Sequence, residues 1–597
     1  MGRLTLTLAL AYSIGKPTAA IEDFDYIIVG AGTTGLVVAN RLSEDPSVTV
    51  AVIEPGTDQR DNINVTATDR FSQAFNTPID WAYETVMQPG AGNRSLPLHQ
   101  GKAWGGTSTI NGMTYIRGNI AEIDSWEHLG NPGWNWGALL PYYKLSEGYT
   151  IPTDTQLAAG ATYRRQYHGF DGPLRVGYSA ALRNGSFAPA VMQTWEGLSL
   201  SQNPDLNSGD VRGFSMGPQT LDPGNDVRWD AARAYYHPVE HRHNLRILKG
   251  TVRRITWADG KRYKRGYPSA RLVASGIEML TDDGKLTKVR VRNEVVISAG
   301  AVRTPLVLEA SGIGNPSVLR ALDIETRVNL PGVGENLVEQ PSHLLRFSGN
   351  LEPSANAYHT FVTAADVFGA DLAAVEEETR NSLSRWAQAA VDASKPGSLK
   401  ASAVAKLLRI QHEILFKRNG TIGEVLTIVA PGGVLASQYW LLLPFSRGSA
   451  HLGSLDDIDE PVIDPRIFLA DFDLAALTAV GRLAETFWRS DPMNVRASVV
   501  GPIPQGTTSL PNNATDAEWH AHLRDTVAAN SHVMGTASMM SRELGGVVDP
   551  ELRVYGTVNV RVVDASILPT QISGHLTATL YAVAERASEI IKGTCKK

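Results

Sequence analysis

Apolar and polar positions near the start of the chain follow the pattern of two buried strands separated by a helix. Phe24 to Val29 is a continuous β-branched and aromatic run, which predicts a buried parallel strand. Residues 36–45 read as a good helix, and Val48 to Ile53 form a second apolar strand. This order predicts a βαβ unit and therefore an α/β fold in this part of the chain.

A different pattern fills the later part of the chain. Residues 362–418 hold Ala-, Glu- and Leu-rich segments in which apolar residues recur at helical spacing, broken by Lys395-Pro396-Gly397. Residues 438–445 are almost wholly apolar and predict a buried strand. We expect these helices to pack on a sheet that contains this strand.

Composition excludes several classes of protein. A chain of 597 residues with 43% hydrophobic and 19% charged residues can bury a large core, and its length predicts two domains or one very large one. The net charge of −6 and the absence of a basic run argue against nucleic-acid binding. The single cysteine, Cys595, excludes an intrachain disulfide and a thiolate metal cluster, and no metal site is predicted.

The N-terminus predicts export. Residues 1–20 combine Arg3, an apolar run from Leu4 to Ile14 and small residues at 18–20, as in a secretory signal peptide. The alternative is an apolar N-terminal segment without a targeting role. Past the signal, no segment is apolar enough to predict a membrane span. Five glycosylation sequons support a secreted or secretory-pathway protein: Asn64, Asn93, Asn184, Asn419 and Asn513.

A glycine-rich turn joins the first strand to the first helix. In Gly30-Ala31-Gly32-Thr33-Thr34-Gly35, the first glycine permits a tight turn, Gly32 lets the backbone approach a pyrophosphate, and Gly35 allows close helix–strand packing. Glu54 ends the second strand, where a carboxylate binds a ribose hydroxyl in dinucleotide sites. The pattern predicts a dinucleotide site; the alternative is a glycine turn in a flavodoxin-like sheet.

Two further glycine-rich stretches identify the family. Residues 101–124 (GKAWGGTSTINGMTY and onward to Asp124) and 300–314 (GAVRTPLVLEASGIG) resemble the two signature patterns of the glucose–methanol–choline (GMC) family of FAD oxidoreductases. The resemblance continues through 530–540 and 545–582 and covers essentially the whole mature chain. It is nearest to the fungal branch of glucose oxidase, glucose dehydrogenase and aryl-alcohol oxidase.

The resemblance implies FAD as cofactor and an α/β, or α+β, two-domain fold. A Rossmann-type FAD-binding domain would comprise 21–125, 240–340 and 540–597. A substrate domain with an antiparallel sheet and helices would comprise 126–239 and 341–539. Ile110 stands where relatives with a tethered flavin carry histidine, so noncovalent FAD is implied. Beside Gly30, Gly32, Gly35 and the ribose carboxylate Glu54, the implied cofactor contacts are Thr33, Thr34, Thr107, Asn111, Gly112, Met113, Thr114, Val252, Asp564, Ala565 and Thr577.

Two of the 14 histidines lie in glycine- and hydroxyl-rich turns that precede apolar stretches. The resemblance implies that His532 is a base taking the hydroxyl proton of an alcohol while hydride passes to flavin N5, because an imidazole titrates near neutral pH. It implies that His575 hydrogen-bonds the substrate oxygen. Taken without the resemblance, such a turn more often holds a structural histidine.

One position near the catalytic histidine bears on the substrate. Glucose-specific relatives carry an arginine four residues before the catalytic histidine, and here that residue is Ala528, while Asn530 is retained as an implied substrate contact. We therefore expect a primary alcohol that is apolar, aromatic or a secondary-metabolite intermediate. The alternatives are a sugar oxidase or dehydrogenase and an FAD-containing non-redox lyase or cyclase. The implied acceptor is dioxygen or a quinone, and the protein is expected to be a monomer or homodimer.

Overall fold

The computed structural model describes residues 22–182, 187–258, 271–351, 357–430, 433–506, 510–511 and 513–595. Within these ranges the α-helices are α1 (Thr33–Leu42), α2 (Ile63–Thr66), α3 (Ile120–His128), α4 (Trp136–Ser146), α5 (Asp154–Ala158), α6 (Phe187–Gly197), α7 (Gly300–Ala310), α8 (Pro316–Ala321), α9 (Ala364–Phe368), α10 (Leu372–Ala393), α11 (Ala401–Lys417), α12 (Asp471–Arg489), α13 (Met493–Ala497), α14 (Asp516–Thr526) and α15 (Leu576–Cys595).

The strands in the same ranges are β1 (Asp23–Val29), β2 (Val50–Glu54), β3 (Tyr83–Glu84), β4 (Pro97–Leu98), β5 (Glu147–Tyr149), β6 (Leu174–Val176), β7 (Gly213–Met216), β8 (Leu221–Asp222), β9 (Val227–Arg228), β10 (Leu245–Lys249), β11 (Thr251–Trp257), β12 (Ala274–Leu280), β13 (Leu286–Ile297), β14 (Ile313–Gly314), β15 (Val328–Asn329), β16 (Glu335–Leu337), β17 (Pro341–Ser348), β18 (Tyr358–Thr363), β19 (Thr421–Ala430), β20 (Val434–Leu441), β21 (Gly448–Leu452), β22 (Pro461–Asp464), β23 (Ala528–Ala529) and β24 (Val560–Val562).

A seven-stranded sheet is built from three distant parts of the chain. Its order is β10-β2-β1-β13-β12-β11, and β24 pairs with β13. The strands β10, β2, β1, β13 and β24 run parallel, whereas β11, β12 and β13 form an antiparallel meander. Helix α15, near the C-terminus, packs on α1 and α4. The predicted parallel βαβ unit is therefore completed by segments far away in sequence.

The second large sheet is antiparallel, with the order β23-β17-β20-β19-β18-β7. Helix α12 covers one face, where the Trp488 indole donates to Ser437 Oγ at 2.9 Å and Gly481 lies against the ring of Tyr439. The opposite face carries Glu424 and Trp440, which are direct neighbours across β19 and β20. Mixed helices and sheets, with one largely parallel sheet and one antiparallel sheet, confirm the predicted fold class.

The helices predicted within 362–418 are present as α10 and α11. They pack against each other, and Trp386 of α10 contacts Phe445 and Phe472, which lie after β20 and at the start of α12. The predicted strand 438–445 overlaps the end of β20, which is largely buried.

The domain boundaries remain predictions. All strands of the two large sheets fall within the ranges expected for their domains. A third sheet, β16-β21-β22, joins a segment expected in the cofactor domain to one expected in the substrate domain, and β21 packs on α7.

Features predicted for an exported protein lie mostly at the surface. Asn93, Asn419 and Asn513 are exposed and Asn64 is half-buried, whereas Asn184 and the predicted signal peptide, 1–20, lie outside the described residues. Within the described ranges, no helix combines the length and apolar character that crossing a bilayer requires.

Candidate active site

A cleft of about 1360 Å³, its open mouth included, lies where the three parts of the seven-stranded sheet meet. The walls come from segments around residues 29–34, 53–55, 81–83, 100–114, 251–252, 298–307, 531–533 and 564–580. The cleft is therefore lined by the beginning, the middle and the end of the chain.

The glycine turn after β1 forms one end of the cleft. Gly30 has a φ of +105°, and a Cβ there would lie 2.4 Å from the Ser298 carbonyl oxygen. A Cβ on Gly35 would lie 2.1 Å from the Gly30 carbonyl oxygen, so Gly35 serves helix–turn packing and does not line the cleft. Gly32 does line it. Gly30 and Gly35 thus serve the tight turn and the helix packing, whereas the approach of Gly32 to a pyrophosphate stays a prediction.

Glu54 braces this turn from the end of β2. Its carboxylate lines the cleft and accepts hydrogen bonds from the backbone N–H groups of Ala31, at 3.0 Å, and Gly56, at 2.8 Å. Burial raises the pKa of Glu54 to about 7, against the opposing effect of these donors. Glu54, which is predicted to bind a ribose hydroxyl, therefore also stabilises the conformation of the glycine turn.

Three helices begin at the cleft. The first turns of α1, α7 and α15 contribute Thr33, Thr34, Gly300, Ala301 and Thr577 to its wall. Unpaired N–H groups and the helix dipole make such ends favourable for a phosphate. The Thr34 hydroxyl itself donates to the Val563 carbonyl oxygen.

Asp564 connects the last strand to the start of α7. It is buried and accepts from the Gly300 N–H at 3.0 Å and from the Thr304 hydroxyl at 2.5 Å. Burial raises the pKa of its carboxyl group. Asp564 and Ala565 both line the cleft, as predicted for residues that approach the cofactor.

The loop predicted to contact the flavin forms the opposite wall. Thr107, Asn111, Gly112, Met113 and Thr114 all line the cleft. The Asn111 side chain donates to Thr577 Oγ1 at 3.1 Å, which ties this loop to the start of α15. Met113 has a φ of +66°, an uncommon conformation for a residue with a side chain and one often found at functional sites.

These walls fit FAD. A Cβ placed on Gly112 or Gly300 would meet no protein atom within 4 Å, although both residues line the cleft. Side chains there would occupy cleft space that the glycines leave clear. Val252, predicted at the adenine, also lines the cleft. Ile110 is buried with Val65 and Ala103, so this position offers no nitrogen to tether a flavin.

His532 and His575 face each other at the other end of the cleft. Their ring centroids are 5.3 Å apart at an interplanar angle of 78°. Trp440 contacts both rings edge-on, with centroid distances of 6.4 Å to His532 and 5.6 Å to His575. The structure thus brings together two histidines that are 43 positions apart in the chain.

The His532 ring has amide neighbours. Its Nδ1 lies 2.7 Å from Gln340 Oε1 and 3.0 Å from Asn530 Nδ2. Burial, followed by the proximity of His575, lowers the pKa of His532 to about 3. The ring is therefore neutral at physiological pH. Asn530, implied as a substrate contact, lies beside the base and outside the cleft wall itself.

The His575 ring instead lies beside a carboxylate. Its Nε2 is 3.2 Å from Glu424 Oε1, and the same oxygen is 2.7 Å from Nδ1 of His359. Burial alone would raise the pKa of Glu424, but His575 and His359 lower it to about 2, so the carboxylate is charged. The possible metal-binding atoms of His359, Glu424 and His575 lie within 4.8 Å of one another. However, both imidazole rings direct a nitrogen at the same carboxylate oxygen. We therefore interpret the three residues as a hydrogen-bonded triad rather than as a metal site.

Several residues of this site were not predicted from the sequence. Gln340 and Glu424 lie on segments without glycine punctuation or a recognisable motif, and only the fold brings them to the histidines. Trp81 also lines the cleft, between Arg303 and Lys102, whose cationic groups lie 4.2 and 4.3 Å from its ring centroid. The only sequence feature that could have pointed to Arg303 is its position as a cationic residue within the second signature, 300–314.

Known proteins resemble this chain along nearly its full length. Models of the GMC oxidoreductase family match residues 24–342 and 444–584. The chain is 67% identical to the glucose oxidase-like protein fsoC of Humicola fuscoatra, covering 99% of both chains. It is 34% identical to glucose oxidase 2 of Penicillium expansum, covering 95% of this chain and 92% of that protein.

Solved structures agree with this relationship. An FAD-dependent oxidoreductase from Chaetomium thermophilum superposes with a TM-score of 0.87 at 28% identity, covering 96% of this chain and 100% of that one. A fungal aryl-alcohol oxidase superposes with a TM-score of 0.83 at 25% identity, also covering 96% and 100%. The chain belongs to the GMC oxidoreductase family and is an FAD-dependent oxidoreductase that acts on CH–OH donors.

Proposed function

We propose that the protein oxidises a primary alcohol with an apolar or aromatic body, or a secondary-metabolite alcohol, to the aldehyde. The observation that carries this proposal is the pair of facing histidines at the cofactor cleft, one held by an amide and the other by a charged carboxylate. Such a pair provides one neutral proton acceptor and one group able to stabilise negative charge on oxygen.

His532 is the base in this proposal. It is neutral, and a hydrogen bond from Nδ1–H to Gln340 leaves the Nε2 lone pair free for the proton of the hydroxyl group. Bound FAD supplies the acceptor for the hydride that leaves the carbon carrying this hydroxyl group. Proton removal by His532 makes the loss of that hydride favourable.

His575 hydrogen-bonds the alcohol oxygen. The charged Glu424 carboxylate lies 3.2 Å from Nε2 of this ring and holds it in place beside the substrate oxygen. Trp440 packs against both rings and limits their rotation. After reduction of the cofactor, a protonated His532 would favour charge transfer to dioxygen or a quinone.

The residue at position 528 supports an apolar substrate. Ala528, in β23, offers no guanidinium fork for sugar hydroxyls. Leu344, Gln438 and Leu426 are direct neighbours across β17, β20 and β19, on the same sheet face as Glu424. Leu344 is 38% exposed on this face. Two of these three side chains are apolar, which favours an alcohol with an apolar body.

A sugar is the second candidate substrate class, because relatives that are 32–34% identical to this chain are named glucose oxidases.

Secretion remains part of the proposal. It rests on the predicted signal peptide and on the three exposed sequons, Asn93, Asn419 and Asn513.

Anaerobic mixing of the holoenzyme with a panel of alcohols and sugars tests the proposal. We expect loss of the flavin absorbance at about 450 nm with benzylic and other apolar primary alcohols, and much slower loss with glucose. Bleaching by glucose alone would favour the sugar candidate. Turnover of a substrate without bleaching would indicate a non-redox lyase or cyclase. Reoxidation with dioxygen and with a quinone then identifies the acceptor.

A further inference from the structure

We propose that Gln340 is a positioning residue that determines which nitrogen of His532 carries the proton, and that Glu339 beside it holds the backbone turn presenting the ring. The two residues form the short connection between β16 and β17, and both are buried. The inference rests on the proposed function only in taking His532 as the base.

The orientation of the Gln340 amide follows from its second hydrogen bond. Its Nε2 donates to the Leu442 carbonyl oxygen at 3.0 Å. Rotating the amide by 180° would place two oxygens against each other at Leu442, so Oε1 must face His532. That oxygen lies 2.7 Å from His532 Nδ1, and a contact this short between oxygen and nitrogen requires a hydrogen on the nitrogen.

The remaining neighbour of Nδ1 fits the same assignment. Asn530 Nδ2 lies 3.0 Å from His532 Nδ1 and 3.5 Å from Gln340 Oε1. With the proton on Nδ1, the amide N–H of Asn530 is directed at the Gln340 oxygen, which then accepts from both the asparagine and the imidazole. In the opposite tautomer, the Nδ1 lone pair would face the Gln340 oxygen at 2.7 Å, and two acceptors would repel. The geometry therefore places the proton on Nδ1 and the free lone pair on Nε2.

Glu339 acts on the backbone of the same turn. Its Oε1 accepts from the Asn530 N–H at 2.7 Å and from the Gln340 N–H at 3.0 Å. The Asn530 N–H also lies 3.2 Å from the Gln340 carbonyl oxygen. Glu339 and Gln340 together thus position the imidazole of His532 and the backbone of the turn that precedes it.

The chemical consequence is large because only one tautomer can accept the alcohol proton at Nε2. In a serine protease, losing the group that fixes the histidine tautomer lowers kcat about 10⁴-fold. The neutral amide of Gln340 fixes the tautomer of His532 without adding a charge beside it. The titratable groups that face His532 are His575 from the turn before α15, Glu424 from β19, and Glu339. A new carboxylate at position 340 would add negative charge to this set and stabilise the protonated ring.

Two substitutions separate positioning from packing. Gln340→Leu keeps a similar volume but removes the acceptor, and we expect flavin reduction by the alcohol to slow at least about 100-fold. Gln340→Glu keeps the acceptor and adds charge, so we expect activity to be partly retained and the acid limb of the kcat/KM profile to move to higher pH. Gln388→Leu, at an exposed position on α10, is the control. FAD content and unfolding temperature are measured for each variant.

Equal losses in the two Gln340 variants with unshifted pH profiles would show that the residue only packs, and would overturn the proposal. Nitrogen-15 NMR of histidine-labelled holoenzyme reports the tautomer without any substrate. We expect protonated Nδ1 in the wild-type protein and mixed tautomers in Gln340→Leu; protonated Nε2 in the wild-type protein would refute the assignment. If the tautomer is as expected but His532→Ala is reduced normally by alcohols, the proposed function fails while the positioning role stands.

Discussion

At the scale of single residues, the two histidines differ in their neighbours rather than in their local sequence. Both follow glycine- or serine-containing turns, and that context identified them as candidates from the sequence. The difference in role arises from Gln340 and Glu424, which contribute an amide oxygen to one ring and a charged carboxylate to the other. Neither partner lies within 100 positions of its histidine, so no local pattern could predict the pairing.

The Glu424 carboxylate provides a test of this division of roles. In Glu424→Gln the side chain keeps its shape but loses the negative charge beside His575, which changes the electrostatic field around the substrate oxygen. We expect kcat/KM to fall by about 10²-fold or more, with FAD content unchanged. Glu378→Gln, at an exposed position on α10, is the matched control. Steady-state kinetics with the best alcohol tests whether the charge of Glu424 contributes to catalysis. An unchanged kcat/KM would argue against a role for Glu424.

At the scale of elements, the pattern predicted β1, α1, β2 and the helices α10 and α11, because their apolar periodicity is strong and local. The short strand β24 was not predicted; it pairs with β13 through only three residues. The short connection between β16 and β17 gave no signal either, since its importance lies in contacts with a turn near residue 530. Glycine loops could be assigned to the cleft in advance because their backbone geometry is itself the sequence signal.

A buried imidazole links three elements near the second signature. His451 of β21 lies 2.7 Å from Glu309 of α7 and 3.3 Å from Glu335 of β16. Burial alone would lower the pKa of His451, but Glu309 and Glu335 raise it to about 10. The histidine is therefore positively charged at neutral pH and neutralises part of the carboxylate charge.

This cluster makes the stability of the protein depend on pH. The unfolded-state pKa of histidine is about 6.5, so the stabilisation by His451 is complete below that pH and is lost as the pH rises through about 10. We expect His451→Leu to lower the free energy of unfolding by about 3–5 kcal/mol at pH 6, because two buried carboxylates lose their partner.

Thermal unfolding of the holoenzymes between pH 6 and pH 9.5 measures this effect. The difference in unfolding temperature between the wild-type protein and His451→Leu should narrow as the pH rises. His241→Leu, at an exposed position, serves as the control and should follow the wild-type profile. A difference that stays constant with pH would mean that His451 acts by packing alone.

At the scale of the whole molecule, the cofactor cleft joins parts of the chain that are otherwise far apart. Residues near 30, 110, 300, 532 and 577 all line it, so FAD bound there would contact the beginning, middle and end of the protein. This arrangement explains why the chain is long, and it predicts that the cofactor stabilises the fold as a unit.

Removal of FAD should therefore lower the unfolding temperature of the whole protein in one step. A ligand at 1000 times its Kd stabilises the folded state by about 4 kcal/mol. Differential scanning calorimetry of apoprotein with increasing FAD should show one transition that rises with FAD concentration. A transition split into an FAD-sensitive part and an insensitive part would contradict this expectation.

The central claim is that His532 removes the proton of the substrate alcohol. Stopped-flow reduction of the flavin, measured anaerobically in wild-type holoenzyme and in His532→Ala with the best alcohol of the panel, tests it most directly. We predict that the variant retains FAD while its limiting reduction rate falls by about 10²–10⁴-fold. A variant that is reduced at close to the wild-type rate would contradict the assignment.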